Sequence, residues 1–261
     1  MKIPFKPLIL CLSISFLSNS ISYAGGIKLD EENWNQETKK RLDILLNKNA
    51  NKGKKIIFDF DNTMVSRDIG EATFAFLVKD GMINKEKIKS FSPSFFLDGK
   101  EFSLDKVIDL TDYYEKFIMS TEHHKNDDSA AINSYAWMVQ AMEGLTPFDV
   151  ISATKKGFMN NQAKNDRKLA KETTVTITEN KTSYMIPFFH PEIVDLIGKM
   201  ILNGYDLYFV SASNVWTIRY MVTVELARLI SQKFKKEIKI SPEKVIGVST
   251  LLKDKRTGIL Y

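Results

Sequence analysis

Two aspartates separated by a single residue are the feature of the sequence that most directly suggests chemistry. Asp59 and Asp61 follow the apolar run at residues 56–58, and such a run is typical of a buried strand in a parallel sheet. Because side chains two apart on an extended backbone point to the same side, we expect both carboxylates to face one pocket. Neighbouring carboxylates repel unless a cation or a shared proton holds them, so the pattern indicates a reactive or metal-binding site. A strand end with a solvated Asx turn is the structural alternative.

A hydroxyl and two further acids join these candidates. Ser211 follows a second apolar run at residues 207–210, and open α/β sheets bind ligands at the carboxyl ends of their strands. The alternative role for Ser211 is an N-cap of the helix that we predict from Val215. Asp68 and Glu71 stand at the start of another predicted helix, where the helix dipole alone also favours acids.

The elements that would position these residues follow an interrupted α/β pattern. The chain has 261 residues, of which 44% are hydrophobic and 26% charged, a composition typical of a globular protein with a core. The strand–helix rhythm stops after Thr63 and returns near Pro187. We therefore predict a Rossmann-like parallel-sheet core, at residues 25–65 and 186–261, interrupted by a mostly helical cap at residues 66–185.

Periodicity and turn signals give the individual elements. In the cap we expect a short strand over residues 173–178 and helices over residues 69–79, 104–119, 132–145 and 147–158. In the core we expect a strand over residues 245–248 and helices over residues 34–46, 191–203 and 215–234. Aromatic residues are frequent in the cap; most suit a hydrophobic core, and some are candidates for an aromatic box around a cation: Phe74, Phe76, Phe91, Phe95, Phe96, Tyr113, Tyr114, Phe117, Tyr135 and Trp137.

Residues 1–24 have the pattern of a secretory signal peptide. Lys2 and Lys6 precede an apolar stretch, and the small residues Ser22 and Ala24 offer a cleavage site; a buried N-terminal helix is the alternative. The single cysteine, Cys11, lies inside this segment, so the mature chain would carry no thiol or disulfide. We expect a periplasmic or secreted protein.

Charge and hydropathy exclude two classes of partner. The net charge of +5 is too small and too dispersed to indicate a nucleic-acid partner. No stretch after the signal peptide is long and apolar enough to span a membrane, so we expect none in the mature protein. The neighbours His123 and His124 lie among polar and charged residues, which favours a solvated loop over a metal site.

The motifs together resemble a known superfamily. The pattern Asp59-x-Asp61-x-Thr63 at a strand end, a helical insertion directly after it and a strand ending in Ser211 resemble the haloacid dehalogenase superfamily, in its phosphatase branch with the cap after the first motif. Dehalogenases of the superfamily lack the second acid, so Asp61 favours phosphoryl transfer. Within this branch the chain looks most like bacterial secreted phosphorylcholine phosphatases, through residues 34–46, 61–63, 68–73 and 210–213.

The resemblance implies a mechanism for phosphomonoester hydrolysis. Asp59 would attack phosphorus and form an aspartyl-phosphate. Asp61 would protonate the leaving oxygen and then activate water. A Mg²⁺ ion would lie between the Asp59 carboxylate and the Asp61 backbone carbonyl. Ser211 would bind a phosphoryl oxygen, and Thr63 would support phosphate binding by orienting the first loop.

The resemblance also implies the substrate class. Asp68 and Glu71 lie where this branch contacts the leaving group, so we expect a small phosphomonoester with a cationic leaving group, phosphorylcholine first. A phosphoserine phosphatase-like enzyme is the alternative, because it shares the same layout.

Two motifs of the superfamily are not found in this sequence. A Lys that offsets phosphoryl charge and an acid pair that completes the metal site would follow the third strand, and neither precedes Tyr261. Lys253, Lys255 and Arg256 lie in a polar turn, and we do not assign them the Lys role. The sequence therefore matches the first part of a longer enzyme or a disrupted copy. The hypothesis from another class is a non-catalytic protein that retains only the cap ligand pocket.

Overall fold

The structure is a computed structural model that describes residues 26–92, 94–97, 100–115, 134–159, 174–176 and 183–249. The predicted signal peptide, the pair His123 and His124, and the polar turn with Lys253 lie outside these residues. No helix in the described part of the chain is long and apolar enough to cross a membrane.

A three-stranded parallel sheet forms the centre of the fold, with the strand Asp206–Asn214 between the strands Lys55–Asp59 and Val245–Val248. The strands span Lys55–Asp59 for β1, Asp206–Asn214 for β8 and Val245–Val248 for β9. Residue Asp59 pairs with Val210, so β1 and β8 end at the same edge of the sheet. Parallel strands need crossover connections, which here contain helices. The predicted Rossmann-like α/β class is confirmed.

Helices of the core pack on the sheet. They comprise α1 (Gln36–Asn49), α7 (Pro191–Leu202), α8 (Val215–Tyr220) and α9 (Ala227–Phe234), with a π-helical segment at Met221–Leu226 between the last two. The predicted helix over 215–234 is therefore helical throughout but wider in its middle. Apolar side chains of these helices and the sheet form the first hydrophobic cluster, whose larger members include Phe60, Phe209, Ile197, Met200, Ile218, Met221 and Ile230.

The segment between β1 and β8 carries a second hydrophobic cluster. Its elements are α2 (Ile69–Lys79), α3 (Lys85–Lys89), α4 (Leu110–Tyr113), α5 (Ser134–Ala141), α6 (Pro147–Met159) and the strand pairs β3–β4 (Ser94–Leu97, Lys100–Ser103) and β5–β6 (Thr174–Thr176, Ser183–Met185). The cluster includes Phe74, Leu77, Tyr113, Trp137 and Met138. Helices α2 and α6 also contribute Ile69, Ala72 and Phe158 to the first cluster. The domain boundaries themselves stay a prediction.

One predicted element of this segment is wrong. The sequence predicts a single helix over residues 104–119, but the described part contains a 3₁₀ turn at Leu104–Lys106 and the short helix α4. The side chain of Ser103 caps the first, and Asp109 caps the second by accepting a hydrogen bond from the backbone N–H of Asp112. Each cap starts a new helix, and Val107 between them is extended, so one continuous helix does not form.

The chain leaves and re-enters the sheet region through two short paired strands. Strand β2 (Val65–Ser66) pairs antiparallel with β7 (Phe188–Phe189). The backbone N–H of His190 donates to the carbonyl of Met64 at 3.1 Å, which extends this pairing. The pairing fixes the start of α2 close to the end of β1, and this determines where the acids of α2 lie.

Candidate active site

A tight loop follows β1 and turns the chain back on itself. The carbonyl of Phe60 accepts hydrogen bonds from the backbone N–H groups of Thr63, Met64 and Val65. Asn62 and Arg67 have positive φ of 55° and 74°, and the N–H of Asn62 donates to the carbonyl of Arg67 at 3.1 Å. The loop is thus held at both ends by backbone hydrogen bonds, so the side chains that it carries have fixed positions.

Asp59 is the last residue of β1 and its side chain is exposed at the carboxyl end of the sheet. The hydroxyl of Thr63 donates to Asp59 Oδ2 at 2.6 Å. Thr63 therefore orients the carboxylate of Asp59. An exposed, oriented carboxylate is accessible to an incoming electrophile. The assignment of Thr63 to phosphate binding stays a prediction.

Asp61 lies in the loop, beyond the end of β1, so strand alternation does not determine its direction. Its Oδ1 accepts the backbone N–H of Ile69 at 2.8 Å. Its Oδ2 accepts the hydroxyls of Ser211 at 2.9 Å and Ser213 at 2.8 Å. Burial and then the charge of Asp68 raise the pKa of Asp61 to about 7, although these three donors lower it.

Ser211 and Ser213 approach Asp61 from β8. The alternative role of Ser211 as a helix N-cap is wrong, because the side chain of Asn214 caps α8 by accepting the N–H of Trp216 at 2.9 Å. Ser213 was not among the sequence candidates. It stands two residues after Ser211 on the same extended strand, and that spacing is the signal that would have identified it.

Asp68 and Glu71 lie beside Asp61 at the start of α2. Asp68 is the N-cap of the helix, since its Oδ1 accepts the N–H of Glu71 at 2.9 Å. It also has a partner outside the helix, because the hydroxyl of Tyr135 donates to its Oδ2 at 2.9 Å. The structural alternative for Asp68 is therefore correct, and it coexists with a position next to the other acids.

Burial and the neighbouring carboxylates raise the pKa values of this group of side chains. Burial and then the carboxylate of Asp68 raise the pKa of Glu71 to about 8, with smaller contributions from Glu115 and Asp61. Burial is also the main cause that raises the pKa of Asp68. Burial first, and then Asp68, raise the pKa of the Tyr135 hydroxyl. Such a site favours either protons or a cationic ligand.

Five of the cap aromatics whose side chains the structure describes pack against one another rather than around an open space. Trp137 is fully buried, and its ring centroid lies 5.8 to 6.1 Å from four other rings, those of Phe74, Phe91, Tyr113 and Tyr114. Rings in direct contact at these distances leave no space for a quaternary ammonium between them. Tyr135 differs, because it is partly exposed and bonds Asp68. Phe117 lies outside the described residues.

The site offers oxygen donors of the kind that Mg²⁺ prefers. The Asp59 carboxylate and the Asp61 backbone carbonyl are hard oxygen ligands, so both predicted metal ligands fit the ion chemically. Both oxygens of the Asp61 side chain accept hydrogen bonds, and the ligand predicted from this residue is its backbone carbonyl. No group of three or more His, Cys, Asp or Glu within the described ranges is arranged to hold a metal ion.

The chain is similar to a curated protein and to a solved structure. No family model matches the chain. The chain is 25% identical over 248 residues to the phosphorylcholine phosphatase of Pseudomonas aeruginosa, a match that covers 94% of this chain and 62% of that protein. The fold is similar to the crystal structure of a conserved, functionally unknown protein from Anaerococcus prevotii, with a TM-score of 0.50, 17% identity, and coverage of 89% of this chain and 72% of the other.

Proposed function

We propose that the protein is a phosphomonoesterase of the haloacid dehalogenase superfamily that works through an aspartyl-phosphate. One observation carries the proposal: the exposed carboxylate of Asp59 and the buried carboxyl of Asp61 lie two residues apart at the carboxyl end of the sheet, and Asp61 is held by donors from β8 and α2. The name of the Pseudomonas aeruginosa relative supports a phosphatase.

In the first step Asp59 attacks phosphorus while the ester bond to the leaving alcohol breaks. Thr63 orients the attacking carboxylate through its hydrogen bond to Oδ2. Asp61 gives its proton to the leaving oxygen, and a pKa of about 7 keeps a large fraction of this group protonated near neutral pH. Ser211 donates its hydroxyl to a phosphoryl oxygen. The products of this step are the free alcohol and phosphorylated Asp59.

In the second step water releases the phosphate. Asp61, now ionised, accepts a proton from a water molecule, which attacks phosphorus and breaks the bond to Asp59. Asp59 and the Asp61 carbonyl would hold Mg²⁺, which supplies positive charge to offset that of the phosphoryl group. Inorganic phosphate leaves, and Asp61 is protonated again.

The preferred substrate that we propose is phosphorylcholine. The leaving group would lie near Asp68 and Glu71, whose pKa values are raised and whose neighbourhood contains further carboxylates. A quaternary ammonium would relieve this excess of negative charge. The exposed part of Tyr135 offers an aromatic surface, which is worth roughly 0.5–2 kcal/mol to a cation. The same acids suit the ammonium of phosphoserine, which is the second candidate.

We further propose that the protein acts in the bacterial periplasm or outside the cell. The support is the pattern of residues 1–24, with Lys2 and Lys6 before an apolar stretch and small residues at its end. Detection of the protein in periplasmic and culture fractions tests this. Retention of the full protein in the cytoplasm would contradict it.

Substitution of the two aspartates tests the mechanism. In the full-length protein, Asp59→Asn should abolish hydrolysis of phosphorylcholine, because an amide does not form the phosphorylated intermediate. Asp61→Asn should reduce turnover by about 10²–10⁴-fold through loss of proton transfer. Asp105→Asn is the matched control, since Asp105 is exposed and pairs with the exposed Lys89. Steady-state rates with and without added magnesium give the result, and near-normal turnover in Asp59→Asn would contradict the mechanism.

A comparison of leaving groups tests the substrate. Phosphorylcholine, phosphoserine and a neutral sugar phosphate should be compared by kcat/KM on the same preparation. We expect the two cationic substrates to exceed the sugar phosphate, with phosphorylcholine first. The Glu71→Gln variant should reduce the difference in kcat/KM between the cationic substrates and the sugar phosphate. A sugar phosphate with the highest kcat/KM would overturn the choline assignment while leaving the phosphatase mechanism intact.

A further inference from the structure

The hydroxyl of Ser211 has two different acceptors in the proposed reaction, Asp61 and a phosphoryl oxygen. It now donates to Asp61 Oδ2 at 2.9 Å, and its oxygen accepts the N–H of Ser213 at 3.0 Å. A serine hydroxyl carries a single hydrogen. When that hydrogen forms a hydrogen bond to a phosphoryl oxygen, Asp61 loses one of its three donors. This happens during the step in which Asp61 transfers its proton to the leaving oxygen.

Ser213 has no second acceptor of this kind, because the proposed reaction gives it no contact with the phosphoryl group. Its hydroxyl donates to the same Oδ2 of Asp61 at 2.8 Å, and its side chain is fully buried. The first turn of α2 encloses it: a Cβ added to Gly70 would lie 2.4 Å from Ser213 Oγ, a distance that real contacts do not reach. Gly70 therefore leaves the space that this hydroxyl occupies, and the surrounding atoms fix its direction toward Asp61.

We propose that Ser213 is the positioning residue for Asp61, a proposal that rests on the proposed function. Ser213 and the N–H of Ile69 would each hold one carboxyl oxygen of Asp61 while Ser211 turns to the phosphoryl group. Two donors on two different oxygens define the plane of the carboxyl group. Without Ser213 the group would pivot about its remaining bond to Ile69, and its proton would no longer point at the leaving oxygen.

A positioning role for Ser213 predicts a kinetic difference between two leaving groups that a purely structural role does not predict. Choline is a poor leaving group and needs the proton of Asp61, whereas 4-nitrophenol leaves as a stabilised anion and needs it little. The value of kcat/KM reports the first phosphoryl transfer, in which the leaving group departs. Loss of positioning should therefore lower kcat/KM for phosphorylcholine much more than for 4-nitrophenyl phosphate.

The first experiment measures this ratio in the full-length protein. Ser213→Ala should lower kcat/KM for phosphorylcholine by about tenfold or more relative to its effect on the aryl ester, a part of the 10²–10⁴-fold that a general acid contributes. Asp61→Asn should show the same selectivity in stronger form. Ser211→Ala should lower kcat/KM for both esters by similar factors, because both substrates carry the phosphoryl group that it contacts.

The second experiment uses Gly70. Gly70→Ala should reproduce the selective loss, since its Cβ would lie 2.4 Å from Ser213 Oγ and the hydroxyl must shift, whereas the nearest atom of Asp68 would lie at 3.1 Å. In a Ser213→Ala background the same change should add little to the selectivity, because the hydroxyl is already absent. Gly157→Ala is the control, as its Cβ would meet Ala72 at an ordinary 3.4 Å. Melting temperatures show whether each variant is folded.

The outcomes separate this proposal from the function on which it rests. Equal losses for both esters in a folded Ser213→Ala protein would overturn the positioning role, even if Asp59→Asn is inactive and the phosphatase stands. Selective losses that add fully in the Gly70→Ala/Ser213→Ala double variant would overturn the part assigned to Gly70. A wild-type protein that hydrolyses neither ester, or an active Asp59→Asn variant, would overturn the proposed function and this proposal with it.

Discussion

Three carboxyl groups at the carboxyl end of the sheet lie where their protonated forms are favoured. Burial raises the pKa values of Asp61, Asp68 and Glu71, and neighbouring carboxylates raise them further, that of Asp68 for Asp61 and Glu71 and that of Asp59 for Asp68. Close packing of acids in a site of this kind costs stability when all of them are ionised. We expect a cationic leaving group to bind here because it would relieve the repulsion between these carboxylates.

Glu71 should make the stability of the protein depend on pH. Its pKa is about 8 in the folded chain against an ordinary value of 4.5. The folded chain therefore holds more protons between these values, so the free energy of unfolding falls as pH rises through that window, by at most about 1.4 kcal/mol per pH unit from this residue. Glu71→Gln should flatten the slope and gain stability relative to wild type as pH rises toward 8.

Urea unfolding between pH 5 and 9 in metal-free buffer measures the effect. Glu86→Gln is the control, because it makes the same chemical change at an exposed position on α3. A slope in Glu71→Gln equal to that of wild type would show that Glu71 ionises in the folded protein as readily as in the unfolded chain.

The candidate site residues could be predicted from the sequence only where local pattern determines them. Asp59, Asp61 and Ser211 follow apolar runs; Asp59 ends β1, Asp61 lies in the loop after it, and Ser211 lies in the second half of β8. The predicted reason for the direction of Asp61 was wrong, since backbone bonds of the loop, rather than strand alternation, determine it. The bond from Tyr135 to Asp68 joins residues 67 positions apart, and no local signal predicts it.

At the level of elements, a chain of three buried threonines connects α2, α6 and α8. The hydroxyl of Thr154 lies 3.0 Å from that of Thr73 and 3.1 Å from that of Thr217, and all three residues are fully buried. These bonds join two helices of the inserted segment to the helix that follows Ser213. They fix the start of α2, and with it Asp68, relative to β8.

Substitutions of these three threonines should have strongly non-additive effects on the free energy of unfolding. Thr154→Val should cost about 1–3 kcal/mol in the free energy of unfolding, because it removes the partner of the buried Thr217 hydroxyl. The Thr154→Val/Thr217→Val double variant should cost less than the sum of its single variants, since both polar groups are then replaced by apolar ones of similar shape. Urea unfolding of the four proteins gives the coupling energy, and strict additivity would show that the hydroxyls do not interact.

The elements themselves were predictable where capping and periodicity agree. Helix α2 was predicted at its observed bounds, and Asp68 caps it. The strand at Thr174–Thr176 and the helix at Pro147–Met159 also lie where predicted, to within two residues. The hairpin β3–β4 was missed, and the helix over 104–119 was wrong, because the competing caps at Ser103 and Asp109 interrupt an otherwise helical pattern.

At the scale of the whole molecule, the N-terminal residues 26–34, here called the N-terminal strap, tie distant parts of the chain together. The N–H of Asp30 donates to Oδ2 of the fully buried Asp195 at 2.7 Å. Lys199 Nζ lies 3.0 Å from Asp30 and 3.4 Å from Asp195 Oδ1. Lys233 pairs with Glu31 at 2.7 Å. The N-terminal strap is thus held to α7 and α9 by charged groups that range from the buried Asp195 to the exposed Asp30.

Removal of Asp195 should release the N-terminal strap. Asp195→Ala should cost about 1.5–3 kcal/mol in the free energy of unfolding, because the N–H of Asp30 loses its charged acceptor, while Lys199 keeps its pair with Asp30. The control is Lys89→Met, which breaks the Lys89–Asp105 pair, whose side chains are 50% and 67% exposed; it should cost less than about 1 kcal/mol. Urea unfolding measures both.

Limited proteolysis distinguishes local release from general destabilisation. In Asp195→Ala we expect faster cleavage within the N-terminal strap under conditions where the rest of the chain stays folded. Equal cleavage rates in the two variants, together with a small loss of stability, would show that the charges around Asp195 do not hold the N-terminal strap.

The N-terminal strap also has a consequence for the order in which the protein matures on the ribosome. Asp30 is synthesised 165 residues before its partner Asp195, and Glu31 precedes Lys233 by 202 residues. The strap can bond α1 early, since the N–H of Leu29 donates to Asp43 Oδ1 at 2.8 Å, but its bonds to α7 and α9 form only after those helices are synthesised. The first described segment to be synthesised is thus among the last to complete its native contacts.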